Sequence, residues 1–361
     1  MYRPQITVNG KFLNGPLNGV HRTALEYATA LIDRAAGQCD VRLVAPRPVA
    51  ASEDFPGLQV EAHPGRFGAG QGWEMLTLPR AARRSLLLNL CNLAPLAHRN
   101  SVVMIHDAQT FLHPEDYGGL QGAAYRTFLP WIGRRARRVL TVSDFARASL
   151  GEHRIAPPDR IVTVHNGTDH ILRPTPDRSV LDRHGLTDGG YVLVLGTTKG
   201  YKNIHRVFKA METPAPGGLR LVVAGGPGEQ KYRDRGWHAP SDTVFTGFVS
   251  DAELRALYTS ARVFAFPSLT EGFGLPPLEA MHCGTPVIAS RAGAMIEVCG
   301  DAALFAEPDD TAAWREGIER LAGPEGQTYA ARGNVQAARF TWTAAGDRLW
   351  SVIAPLVGIR L

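Results

Sequence analysis

Short apolar runs rich in Val, Ile and Leu alternate with amphipathic stretches from one end of this 361-residue chain to the other. No other feature of the sequence restricts the fold as much. The runs lie at 5–9, 41–45, 86–90, 102–106, 139–142 and 161–164, and a second series follows at 191–195, 219–224, 243–246, 263–266 and 287–290. YVLVLG and LRLVVAGG are apolar at nearly every position. Strands of that kind are buried on both faces and belong to parallel sheets. Between the runs, Val20, Ala24, Tyr27 and Leu31 recur at helical spacing. Ser250 followed by Glu253 forms a capping box ahead of LRALYTSA, and Asp310 is placed to cap a helix carrying Trp314, Ile318 and Leu321. Strands alternating with helices predict right-handed βαβ units and an open, doubly wound α/β sheet.

A chain of this length suits two such domains rather than one. The two prolines of Arg173-Pro174-Thr175-Pro176-Asp177 follow the first strand series and mark the expected boundary. The expected division is a first Rossmann-like domain over 1–173 and a second over 174–342. After Phe340-Thr341-Trp342, a terminal helix over about 343–361 crosses back to the first domain. The two domains are expected to face each other across a cleft, with ligand at the carboxyl ends of the strands.

Composition excludes several classes. At 44% hydrophobic and 20% charged residues the chain is globular rather than disordered. Its most apolar stretch, 86–97, is interrupted by Asn89 and Asn92 and is too short to span a bilayer. The start, MYRPQITVNGKF, has no apolar core of secretory-signal length, so a soluble cytoplasmic protein is expected. Cys39, Cys91, Cys283 and Cys299 show neither C-x-x-C pairing nor zinc spacing and read as reduced thiols. No cluster of His, Cys and Asp has metal spacing, and Asp309-Asp310 precedes a helix start, where Asp caps. A net charge of +5 fits an anionic ligand, nucleic acid or an anionic membrane equally well.

FPSLTEGFGLPPLEAMHCGTPVIAS, residues 266–290, reads strand, loop, helix, strand. Pro276 and Pro277 suit the first helical turn, where N–H groups lack partners. The amides of Gly274 and Leu275 would then present a positive helix end to a diphosphate, and Gly272 and Gly274 let the backbone approach it. Glu271 and Glu279 bracket the loop. Phosphate would repel either carboxylate, so each is better suited to accept hydrogen bonds from hydroxyl groups, one from a ribose diol and the other from a sugar ring.

EGFGLPPLE resembles the Glu-x7-Glu motif of the retaining family 4 glycosyltransferases, and the resemblance covers nearly the whole chain. NGPLNGVHRTALEYATAL is similar to that family's glycine-bearing first loop and helix. VVMIHDAQTFLHPE, LTVSDFARASL, VTVHNGTDH and the lysine-bearing LGTTKGYKN resemble further family segments. The resemblance implies a GT-B fold and transfer of a hexose from a nucleotide sugar to a glycan or lipid-linked acceptor. Anomeric configuration would be retained, and no metal or other cofactor would be needed. Lys202 would bind the donor diphosphate, Glu271 the transferred sugar and Glu279 the ribose. Gly272, Phe273, Gly274 and Leu275 would line the donor site, and Gly19 would let the first loop approach the phosphates. His106 would lie near the anomeric carbon or the sugar hydroxyls. Relatives carry an Arg close to Thr197; here Lys199, or the hydroxyls of Thr197 and Thr198, would replace it. The segments look most like bacterial family members that use GDP-mannose in surface polysaccharide synthesis.

Other readings are weaker. His106 alone is ordinary at a strand end, although Asp107 beside it favours a role. The Gly225-Gly226-Pro227-Gly228 turn serves a strand–helix connection as well as a ligand. Arg134, Arg135, Arg137 and Arg138, following Tyr125, Phe128, Leu129 and Trp131, suggest a basic amphipathic helix. Docking on anionic lipid at the inner face of the cytoplasmic membrane and a solvated helix face are both open to it. A UDP-sugar transferase shares most of these motifs. A sugar-nucleotide epimerase on this fold would turn over without acceptor, and a phosphorylase would need inorganic phosphate. A silent nucleotide-sugar binder would not need both glutamates and Lys202. Nucleic acid is disfavoured, because the basic residues lack exposed aromatics on a recognisable module.

Overall fold

The computed structural model describes residues 3–15, 18–49, 58–66 and 68–360. Pro16 and Leu17 of the glycine-bearing first loop lie outside the described residues. The chain forms two compact units, Met1–Gly167 with Trp342–Leu361, and Thr168–Thr341.

Among the described residues the first unit holds seven strands: β1 Gln5–Asn9, β2 Asp40–Ala45, β3 Val60–Ala62, β4 Leu86–Asn89, β5 Ser101–Met104, β6 Arg138–Thr141 and β7 Ile161–Thr163. They are all parallel, in the order β3-β2-β1-β4-β5-β6-β7. The second unit holds six: β8 Tyr191–Leu195, β9 Arg220–Ala224, β10 Val244–Gly247, β11 Val263–Phe266, β12 Val287–Ser290 and β13 Ala303–Ala306. These are also all parallel, ordered β10-β9-β8-β11-β12-β13. β4, β5, β11 and β12 are buried at every position, as their unbroken apolar runs require. β3 and β13 were not expected from the sequence. Each is an edge strand with one neighbour, short and weakly patterned, and the ALFA of β13 is built largely from helix-favouring residues.

The helices pack by the stripes read from the sequence. In Gly19–Ala35 the buried face carries Ala24, Tyr27 and Leu31, and Asn18 caps the start by accepting from the His21 amide at 3.0 Å. The Tyr27 hydroxyl donates to the carbonyls of Val164 at 2.8 Å and His165 at 3.0 Å. Its ring meets Trp342 edge-on at 5.2 Å, so the helix Trp342–Ile353 packs within the first unit. In the second unit, Thr311–Ala322 lays Trp314, Ile318 and Leu321, each 0% exposed, into the core beneath the sheet. Burial of each such side chain contributes roughly 1.5–3 kcal/mol. Asp310 caps that helix through the Ala313 amide at 3.0 Å, and Ser250 and Glu253 form the reciprocal capping box of Asp251–Ser260. The crossing between units at Gly167 and Thr168 falls ahead of the proline pair. The Thr168 amide donates to Phe340 O at 2.9 Å, which holds the turn Asp169–Leu172 in the second unit.

The basic helix is shorter than its sequence suggests. Gly119–Arg135 ends before Arg137 and Arg138, the latter being the first residue of β6. Phe128 and Trp131 are exposed on this helix, whereas Leu129 is buried. All four cysteines are free thiols. Among the described residues, no helix is long and apolar enough to cross a membrane.

In both sheets the strand order reverses beside the unit's first strand, between β1 and β4 and between β8 and β11. Crevices at the carboxyl ends of strands on either side of such a reversal are where open α/β sheets bind ligands.

Candidate active site

The second reversal brings together two loops, one after β8 and one after β11. The first runs Gly196-Thr197-Thr198-Lys199 into the turn Gly200–Lys202, and the second carries Thr270 to Gly274. The Leu269 amide donates to Tyr201 O at 2.7 Å and ties them. Across this junction Lys202 Nζ meets Glu271 Oε1 at 2.5 Å, with the two side chains 26% and 14% exposed. Two of the residues singled out from sequence, 69 positions apart, are therefore in direct contact. The Lys202 ammonium also lies 5.4 Å from the Tyr201 ring centroid and 5.7 Å from that of Phe266. Both rings are oriented to favour a cation there. Lys199 is exposed, with its Nζ 5.6 Å from the same Tyr201 ring centroid. Thr197 Oγ1 accepts from the Lys199 amide at 3.3 Å, so that hydroxyl closes its own turn, and Thr198 is half-buried beside it.

The glycines near this loop are fixed by packing. Gly226 has φ +71°, and a Cβ there would come within 2.5 Å of the Gly196 backbone. The Gly225-Gly226 turn is thus accounted for by the close approach of two backbones. The hydroxyl of buried Tyr232 lies against Gly196, and burial pushes that phenol up to about 12, with the Thr197 amide opposing.

The helix Leu275–His282 starts at Gly274, whose φ of +112° suits glycine, and Pro276 and Pro277 occupy its first turn as expected. No acidic side chain sits in that turn. Its N-terminal amides and the local dipole therefore offer an anion-binding end with no carboxylate in the first turn. Gly272 and Gly274 are buried, and the Phe273 ring is packed away against Phe340 at 5.7 Å in an edge-on contact, leaving its backbone to line the loop. Glu279, one turn into the helix, is 7% exposed. His170 Nε2 lies 3.2 Å from its Oε1, and the Tyr258 hydroxyl donates to its Oε2 at 3.3 Å.

Sequence reasoning missed the residues that hold the two glutamates. His170 closes the VTVHNGTDH segment and Tyr258 lies in LRALYTSA, but nothing in either segment points to Glu279, to which only the tertiary fold brings them. Gly293 supports Glu271: a Cβ there would meet the Glu271 amide nitrogen at 2.6 Å, and the Ala294 amide donates to Glu271 O at 3.3 Å.

Gly19 and His106 belong to the first unit. Gly19 is exposed at the start of its helix with open space where a Cβ would stand. His106 follows β5 with its ring buried. Nε2–H donates to Leu90 O at 2.8 Å, and the backbone amide donates to Asn92 Oδ1 at 2.8 Å. Burial pushes its pKa down to about 4, only partly opposed by the bond to Leu90, so the imidazole is neutral near pH 7. In the same unit His113, Glu115 and Asp116 bring ligand atoms within 4.8 Å of one another on an open turn, a grouping not anticipated from sequence.

A lysine–glutamate contact at a strand-order reversal, beside a helix start free of acidic groups, can hold an anion next to a hydroxyl-bearing ring. The comparisons agree with that class. Residues 17–171 match Glycosyltransferase Family 4 and residues 182–331 match Glycosyl transferases group 1. The chain is 35% identical over 267 residues to O-antigen chain mannosyltransferase B of Escherichia coli, covering 68% of each protein. It is 28% identical over 231 residues to O-antigen chain mannosyltransferase RfbU of Salmonella typhimurium, covering 62% of this chain and 61% of that one. Among solved structures, Anabaena Alr3699/HepE in complex with UDP and glucose aligns with a TM-score of 0.72 at 17% identity, covering 98% of this chain and 99% of that one. Fold and family matches together define a glycosyltransferase with the two-domain GT-B fold. The chain belongs to the family 4 glycosyltransferases.

Proposed function

We propose that this enzyme transfers mannose from GDP-mannose to a glycan or lipid-linked acceptor during synthesis of a surface polysaccharide, with retention of anomeric configuration and without a metal ion. The contact between Lys202 and Glu271 carries the reading, supported by relatives that are named O-antigen chain mannosyltransferases. Lys202 supplies positive charge where the departing diphosphate gains negative charge, and the amides of Gly274 and Leu275 share that load. Glu271 holds the hydroxyls of the transferred sugar. Glu279, steadied by His170 and Tyr258, accepts from the ribose. The acceptor hydroxyl attacks from the face the diphosphate leaves, and the departing phosphate oxygen takes its proton, so no separate base is needed.

A thermal-shift screen against GDP-, UDP-, ADP- and dTDP-sugars tests the donor, since a tight ligand stabilises the native state by mass action. The largest shift is expected with GDP-mannose, and a larger one with a UDP-sugar overturns that choice. Proton NMR of the product should show an α linkage from the α donor, and turnover should survive EDTA.

We further propose that the enzyme works in the cytoplasm at the inner face of the membrane, docked through Gly119–Arg135. Exposed Phe128 and Trp131 lie on the same helix as exposed Arg134 and Arg135. Apolar rings and cations together match an anionic lipid interface. Co-sedimentation should rise with the anionic fraction of the vesicles, and binding independent of it refutes the docking.

A further inference from the structure

Three non-glycine residues among those described have positive φ: Asn92 at +64°, Arg154 at +52° and Asn203 at +52°. Such a backbone is unusual for an L side chain, and where it persists it marks turns and functional sites. Arg154 lies just past the helix Asp144–Glu152, where a left-handed residue commonly ends a helix. The two asparagines each adjoin a residue singled out from sequence. Asn92 holds the His106 amide, and Asn203 follows Lys202.

Asn203 joins the turn Gly200–Lys202 to the helix Ile204–Ala210. Asparagine is common at such a start, where with extended backbone its side chain accepts from an amide of the first turn. Here the backbone is left-handed, with ψ +26°, and the side chain makes no cap bond. It turns away instead, and Nδ2 donates to Pro308 O at 2.9 Å, 105 positions along the chain. Pro308 follows β13, so the bond ties the end of the turn to a third loop of the second sheet. Asn203 is 3% exposed, and the bond spares a buried amide the cost of lacking a partner. Helix capping therefore does not explain the residue, and a left-handed backbone alone would be met at less cost by glycine.

What the asparagine adds is a fixed base for Lys202. The turn is held on both sides of that lysine: Tyr201 O accepts from the Leu269 amide, and the Asn203 side chain is bound to Pro308. The Asn203 amide also closes the turn on Gly200 O at 3.0 Å, and its carbonyl accepts from the Arg206 amide at 2.9 Å. Lys202 stands between these anchors with its ammonium at Glu271. A lysine side chain is a flexible stem, so its charge reaches one point only as accurately as its backbone is held. We propose that Asn203 is a positioning residue for Lys202. Its left-handed backbone and its bond to Pro308 O set the direction in which the ammonium enters the donor site, and its effect on the donor runs through that ammonium. The proposal rests on the reading of Lys202 as the cation that meets the donor diphosphate.

The test is a double-mutant cycle on the full chain, read by titration calorimetry with GDP-mannose. Lys202→Met should weaken binding roughly tenfold or more, the scale of a hydrogen bond to a charged group. Asn203→Gly keeps the left-handed backbone but loses the bond to Pro308, and should weaken binding roughly threefold to tenfold. Asn203→Ala also opposes the positive φ and should weaken it further. In the Lys202→Met background, each Asn203 substitution should change the affinity by less than about twofold. Melting midpoints without ligand, which report on packing, should fall equally in both backgrounds. Should Asn203→Gly fail to fold, Asn203→Asp takes its place with the same expectations, since it keeps the size and the left-handed tolerance but turns an acceptor toward Pro308 O. The proposal is overturned if the folded variant binds GDP-mannose as the wild type does, or if it weakens binding by the same factor with and without Lys202. Wild-type affinity in Lys202→Met would instead sink the donor reading, and the positioning role with it.

Discussion

Each unit sets a lysine from the loop after its first strand against a glutamate, Lys11 with Glu74 at 2.7 Å and Lys202 with Glu271 at 2.5 Å. The lysines are 25% and 26% exposed, but the glutamates arrive by different routes. Glu271 comes from the loop after β11, the strand beside β8. Glu74 comes from a π-helical turn between β3 and β4. A doubly wound sheet fixes where the end of its first strand stands, at the reversal of strand order, so a lysine just beyond it faces the crevice in either unit. The topology does not dictate its partner, and the two sites differ there.

The largest effect expected from breaking this parallel is at the second pair. Lys202→Ala or Glu271→Ala should lower kcat by about 10²–10³, the scale of one lost transition-state donor, with circular dichroism unchanged. Turnover close to wild type in either variant would remove the site assignment. The first unit carries a pH liability through His106. The unfolded imidazole takes up its proton near pH 6.5 and the buried one only near pH 4. Between those values the unfolded state binds more protons, so stability falls as pH drops, by up to about 3 kcal/mol. Urea midpoints of wild type and His106→Gln should diverge in slope over that window, and parallel profiles would contradict it. Gly226→Ala forces a Cβ toward the Gly196 backbone at positive φ, and should destabilise the second unit by about 1–3 kcal/mol in denaturant titrations. The smallest effect is at Glu279. Tyr258→Phe removes its bond to Oε2 and should raise the donor KM roughly threefold to tenfold with kcat nearly unchanged. An effect on kcat alone would mean that Tyr258 acts on something other than donor binding.

The sequence was most informative where function or burial is local. β4, β5, β11 and β12 were legible because strands covered on both faces need apolar residues throughout. Glu271, Gly274, the proline pair and Glu279 were legible because one loop and one helical turn carry them all. β3 and β13 were not, since β3 is only three residues long with two of them exposed and the ALFA of β13 is built largely from helix-favouring residues. Glu74 was not singled out, since 63 positions separate it from Lys11. The same holds for His170 and Tyr258, which only the tertiary fold brings to Glu279. The basic run misled for a related reason, because charge does not show where a helix ends and β6 begins.

The return of the chain at Trp342 has a consequence for biosynthesis. Trp342 covers Tyr27, and Arg34 pairs with Asp347 at 2.7 Å, so the first unit is covered in part by residues translated after the whole of the second. The second unit, Thr168–Thr341, is complete in sequence before that cover exists. Folding on the ribosome therefore runs against the usual order, in which the N-terminal domain finishes first. Until the segment from Trp342 emerges, the first unit waits with the Tyr27 face of its first helix still wet.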